Sequence, residues 1–170
     1  SHEHFDHTGG HARVKEASGA HIVASPAAAP ALRSGLSIAE DPQYGLHEPM
    51  APVAVDVLVR GGETVRSETA TLTAIATPGH CEGHYSLLLT GRDRSYLFGS
   101  DLVFWGGAII LQNVADSSVQ DYAASMNLVL EYDFEAMLPG HGSISLRNGK
   151  RHVEMAANDF NRIGLPKSFL

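Results

Sequence analysis

The chain has 170 residues, 44% of them hydrophobic and 18% charged, a globular composition long enough for one domain with its own core. A formal net charge of −7 argues against nucleic acid as a partner, and no apolar run reaches the ~20 residues of a membrane helix. The single cysteine, Cys81, excludes an internal disulfide and fits a reducing compartment, so a cytoplasmic address is expected.

The chain opens on Ser1-His2-Glu3-His4-Phe5-Asp6-His7-Thr8-Gly9-Gly10, with no strand ahead of it. Chain ends fray unless tied down, so a motif this rich at position 1 reads as a chain starting partway through a longer protein. Ser1–Gly10 is expected as a loop, followed by a short helix over His11–Ser18 and a strand at His21–Ala24. Pro26–Ser34 has helical composition, with Pro30 against it. Gly35–Pro52 is irregular, broken by Pro42, Gly45, Pro49 and Pro52, and a loop of this length often lines a binding site. Tyr44, His47 and Met50 are its pocket candidates.

From Val53 onward the pattern becomes β. Short runs rich in β-branched and aromatic residues occur at Val55–Val59, Glu63–Val65, Thr71–Ala76, Tyr85–Thr90 and Ser95–Phe98, separated by turn residues such as Gly61-Gly62. Val119–Leu130 has helical spacing, Ala136–Leu138 is a last strand, and Arg147–Ile163 is an amphipathic helix. Strands and helices in this order predict one layered α/β domain over residues 1–170.

Ten histidines are far more than composition requires, and half of them fall in glycine- or aspartate-flanked loops. Alternate residues of extended backbone point the same way, so His2 and His4 can grip one ion. A turn at Phe5–Asp6 then presents Asp6 and His7 to a neighbouring ion. Three further motifs each follow a predicted strand: Thr77-Pro78-Gly79-His80, Gly99-Ser100-Asp101 and Leu138-Pro139-Gly140-His141. Imidazole with carboxylate suits zinc, iron or manganese. His11, His21 and His152 read as ordinary polar residues, and Cys81 as a small buried side chain.

Together these motifs resemble the metallo-β-lactamase superfamily, in particular its glyoxalase II-like and lactonase-like hydrolases. The resemblance implies a four-layer αββα sandwich, with the strands that normally precede the first motif missing from the numbered chain. It implies two divalent ions, zinc first and iron or manganese as the other fits. One ion would be held by His2, His4 and His80, the other by Asp6, His7 and His141, with Asp101 bridging. Two such ions share a hydroxide that attacks an ester, lactone or thioester carbonyl. Asp6 and Asp101 are the expected catalytic carboxylates. His84 resembles a supporting histidine of lactonase-like relatives, positioned behind the ligands. Phe104 and Trp105, three and four residues after Asp101, are candidates to wall the substrate pocket.

Substrate class is less sharply marked. Phe104 replaces the tyrosine that many acyl-homoserine lactonases carry, and Ile110 and Gln112 replace residues that recognise glutathione. β-Lactamases with three histidines at the first metal generally lack a counterpart of Asp101. The apolar stretch Gly106–Asn113 favours a neutral ester or lactone. Expected partners are a small-molecule substrate and, compatibly, a second copy in a homodimer. A mononuclear iron persulfide dioxygenase and a nuclease of the same superfamily are the alternatives.

Overall fold

In the computed structural model, residues 1–36, 50–112 and 114–169 are described. Tyr44 and His47 lie outside them. The elements run α1 (Phe5–Thr8), α2 (His11–Ser18), β1 (Val23–Ala24), α3 (Ala29–Ser34), β2 (Val57–Leu58), β3 (Thr64–Arg66), β4 (Ala70–Ala76), β5 (Tyr85–Gly91), β6 (Ser95–Ser100), α4 (Val119–Leu130), β7 (Ala136–Pro139) and α5 (Lys150–Asn161). A 3-10 turn at Trp105–Gly107 lies between β6 and α4.

The main sheet has five strands in the order β3-β4-β5-β6-β7. Pairing is antiparallel from β3 through β6, and β7 joins β6 in parallel. β4, β6 and β7 therefore run in one direction and end at the same edge. That topology delivers three of the four histidine- and aspartate-bearing loops to one place. The fourth arrives there because the Tyr85 N–H, at the start of β5, donates to the Ser1 carbonyl at 2.9 Å.

One face of the sheet buries Ile75, Leu88, Leu97 and Met137 against Tyr122, Met126 and Val129 of α4 and Val153, Ala156 and Ala157 of α5. Removing these side chains from water is the main force holding the sheet and the helices together. A second, smaller core joins Ile22, Ala24, Ala29, Leu32 and Val53. Between it and the other sheet face lies an apolar cavity of about 150 Å³ lined by Val23, Leu32, Leu72 and Leu87, with His2 among its walls.

Where elements differ from the sequence expectation, hydrogen bonding gives the reason. The Ser25 hydroxyl accepts from the Ala28 N–H at 3.0 Å, which makes a turn of the residues after Pro26 and delays α3 to Ala29. Pro30 then falls in the first turn, where its missing N–H costs nothing. α5 begins at Lys150 rather than Arg147 because Ser145 exchanges backbone bonds with Met137 at 2.7 and 2.9 Å. Asn148 then turns through a left-handed φ of 55°. β1 and β2 are two residues each and, among the described residues, pair with each other alone.

Candidate metal centre

Ser1–His4 is extended, and the one-turn helix α1 follows, with His4 accepting from the His7 N–H at 3.0 Å and the Thr8 N–H at 3.1 Å. This change of backbone sends His2 and His4 to one side and Asp6 and His7 to the next. The ligating atoms of His2, His4 and His80 lie within 4.8 Å of one another, as do those of Asp6, His7 and His141. Asp101 stands between the groups: its Oδ2 is 3.3 Å from His7 Nε2, 3.5 Å from His80 Nε2 and 3.6 Å from His141 Nε2. All seven residues expected as ligands thus converge.

The chemistry of the cluster suits a cation. His80 Nε2 faces His4 Nδ1 at 3.0 Å, and His7 Nε2 faces His141 Nε2 at 3.2 Å. Each pair brings two ring nitrogens together where one proton, or one positive ion, must sit between them. Burial lowers the pKa values of His2 and His4, and His80 falls to about 4 for the same reason, so their lone pairs are free. Buried His2 Nε2 and Asp101 Oδ1 have no hydrogen-bond partner among the described residues. Buried polar atoms are rarely left so. A pair of divalent cations fits this donor set of five imidazoles and two carboxylates.

Asp6 and His7 behave differently from the inner histidines. Burial pulls His7 down, but hydrogen bonds to Asp101 and Asp6 outweigh it and raise its pKa to about 9. The same His7 contact holds Asp6 at about 2. For Asp101, burial pushes the carboxyl up, yet the His7 bond and the neighbouring imidazoles leave it below its usual range.

His84 lies behind the cluster, fully buried. Its Nε2 accepts the Asp101 N–H at 3.1 Å, and its Nδ1 is 3.0 Å from the Thr77 carbonyl and 2.9 Å from the Thr77 hydroxyl. Because Nε2 must accept, Nδ1 carries the proton and donates to Thr77. The ring therefore ties the loop after β4, which bears His80, to the loop that bears Asp101. Replacing His84 with Ala leaves the Thr77 carbonyl and the Asp101 N–H unpaired. That is expected to cost about 1–3 kcal/mol for each buried group and to weaken metal binding about 10–100-fold. Metal titration with thermal melting checks this; unchanged affinity would leave His84 no positioning role.

Glycines make room for the donors. A Cβ at Gly140 would overlap Asp101 Oδ1 and come within 2.7 Å of His7 Cε1, so the backbone before His141 is itself part of the wall. Gly79 has φ 141°, and a side chain there would meet Tyr122 at 2.7 Å. Tyr122 is buried beneath the centre, donating to the Ile110 carbonyl at 2.8 Å and lying 3.3 Å from the Asp101 carbonyl. Neither the Tyr122 support nor the positive φ of 47° at Ser100, which turns β6 toward Asp101, was expected from the sequence. Tyr122 falls on the helical spacing of Val119–Leu130, and that was its one sign in the sequence.

The two residues expected to wall the substrate pocket have different surroundings. Phe104 has no exposed surface, and its ring stacks on Phe169 at 4.2 Å and lies 6.3 Å from His141. It backs His141 rather than offering a face to substrate. Trp105 is 54% exposed and packs on the His152 ring at 4.5 Å, on the α5 side of the turn. Met50 is buried, which withdraws it from the pocket candidates. Cys81 is buried as expected, and burial pushes its thiol far above the ordinary range.

Residues 1–141 match the family model described as the metallo-beta-lactamase superfamily. An acyl-coenzyme A thioesterase, MBLAC2, from Gallus gallus is 30% identical over 97% of this chain and 62% of its own length. A hydroxyacylglutathione hydrolase from a Polaromonas species is 30% identical, over 85% of this chain and 47% of its own. The chain thus spans about half to two thirds of these relatives. A solved metallo-beta-lactamase from Cronobacter sakazakii, with a HARLDQ motif, superposes at a TM-score of 0.67 with 34% identity, covering 84% of this chain and 54% of that one.

Proposed function

Since the chain belongs to the metallo-beta-lactamase superfamily, we propose that it is a metal-dependent hydrolase of acyl compounds and that a thioester is its substrate class. One observation carries the reading: Asp101 Oδ2 lies within 3.6 Å of imidazole nitrogens from both donor groups. A carboxylate so placed can be shared by two cations. His2, His4 and His80 would hold one ion, and Asp6, His7 and His141 the other. When bound, such a pair lowers the pKa of water toward neutrality and polarises a carbonyl.

The chain's own groups supply the rest. Asp6, a carboxylate on the exposed side of the cluster, is a proton acceptor there. His84 fixes the Asp101 loop, and the buried walls around His2 and His80 keep bulk water from the inner donors. Support for a thioester over a lactone comes from the relatives, one an acyl-coenzyme A thioesterase and another a hydroxyacylglutathione hydrolase. Ile110 and Gln112, in place of glutathione-recognising residues, favour an acyl group on a carrier other than glutathione.

The test is thiol release from acetyl- and octanoyl-coenzyme A by the full-length protein. Turnover is expected, abolished by chelator and restored by zinc or manganese. Turnover indifferent to chelator ends the metal reading. One iron per chain with oxygen uptake on a persulfide would move the assignment to a dioxygenase.

A further inference from the structure

The two donor groups differ in access. His2, His4 and His80 are buried, whereas the side chains of Asp6 and His141 are 48% and 38% exposed. Substrate must therefore approach over Asp6 and His141. A part of the chain beyond the family match, the segment after α5, comes close to His141.

That segment returns to the centre. The Ile109 N–H donates to the Lys167 carbonyl at 3.0 Å, and the Phe169 N–H donates to the Ile109 carbonyl at 2.9 Å, a parallel bridge onto a fully buried residue. The bridge seats the Phe169 ring on Phe104 at 4.2 Å and against Gly142, where a Cβ would come within 3.0 Å of it. Gly142 adjoins His141, and Phe104 stacks beneath the His141 ring. Phe169 is still 37% exposed, and Ile144, two residues past Gly142, is 52% exposed. An apolar surface held in place beside a polar centre is how small-molecule sites orient a ligand's hydrocarbon part.

The geometry points to Phe169, with Ile144, as the wall that meets the acyl group: an apolar acyl chain lies along Phe169 while its carbonyl reaches the metal centre. The inference rests on the hydrolase reading above and names the acyl side of its substrate.

The experiment compares Phe169→Ala and Ile144→Asp with the wild-type full-length protein on acetyl- and octanoyl-coenzyme A. Wild type should prefer octanoyl. In each variant the octanoyl-to-acetyl ratio of kcat/KM should fall about tenfold, the scale of partial loss of an apolar pocket contact. Ile144 has no part in the Phe104 stack, so its variant holds the test open if Phe169→Ala fails to fold. Equal losses on both substrates, or none, overturn the wall. Calorimetric binding of octanoate against acetate to the metal-loaded protein gives a readout free of turnover. If no thioester is cleaved but octanoate binding weakens in both variants, the hydrolase reading fails and the wall stands. If thioesters are cleaved with unchanged chain-length preference, the wall alone fails.

Discussion

Stripping metal from the loaded protein is expected to lower its melting temperature by about 8–16 °C. Ions that bind the folded state alone stabilise it by about 4 kcal/mol at a thousandfold excess over Kd. Each kcal/mol shifts the melting point of a chain this size by roughly 2–4 °C. The cause is visible in the cluster. His80 and His4 nitrogens face each other at 3.0 Å and His7 and His141 nitrogens at 3.2 Å, and Asp101 Oδ1 is buried without a partner among the described residues. The shift should depend on pH with a definite sign. In the metal-free protein His7 has a pKa of about 9, above its unfolded value near 6.5. The stability it contributes is full below pH 6.5 and is lost as pH rises through 9. Metal must displace that proton, so metal binding strengthens and the gap between loaded and stripped melting points widens from pH 6.5 to 9. Scanning calorimetry with and without chelator at several pH values checks both statements. Coincident melting curves would mean that no ion is held there.

Much of this centre was legible in the sequence because its signal is local. The motif His2-x-His4-x-Asp6-His7 fixes residue types and spacing within one extended-to-helical turn, and His80, Asp101 and His141 each follow a strand that periodicity identifies. α2 and α4 likewise match their expected spans: α2 ends at Gly19 in the left-handed conformation, and α4 has its apolar pattern in one run and Ser118 as its cap, accepting from the Asp121 N–H at 3.2 Å. The features that escaped are long-range. Phe104 sits three residues from Asp101, yet the Phe169 ring, 65 positions further on, decides that it is covered. The start of α5 was set by Ser145 pairing with β7, a contact with no trace in helical periodicity. His84 could be placed behind the ligands by resemblance, but its role as a tie between two loops needed the Thr77 and Asp101 distances.

Asp101→Ala should be the most damaging single change to activity, lowering kcat by at least about 10²–10³-fold, the scale for losing one directed electrostatic group in a site. Three imidazole nitrogens, from His7, His80 and His141, lie within 3.6 Å of its Oδ2, so no neighbouring carboxylate can take over all three contacts. Asp6 reaches His7 and His141, at 3.4 and 3.0 Å, and could compensate on that side. Metal content should therefore fall from two ions to one rather than to none. The loop itself should persist, because His84 grips the backbone N–H of residue 101 and not its side chain. Asp101→Asn separates charge from shape: it keeps the volume and an oxygen acceptor but not the negative charge. It should resemble Asp101→Ala in kcat and in metal content while melting closer to wild type. Elemental analysis beside thiol-release kinetics decides it. Two tightly held ions with undiminished turnover in Asp101→Ala would show that the two donor groups act without a shared carboxylate.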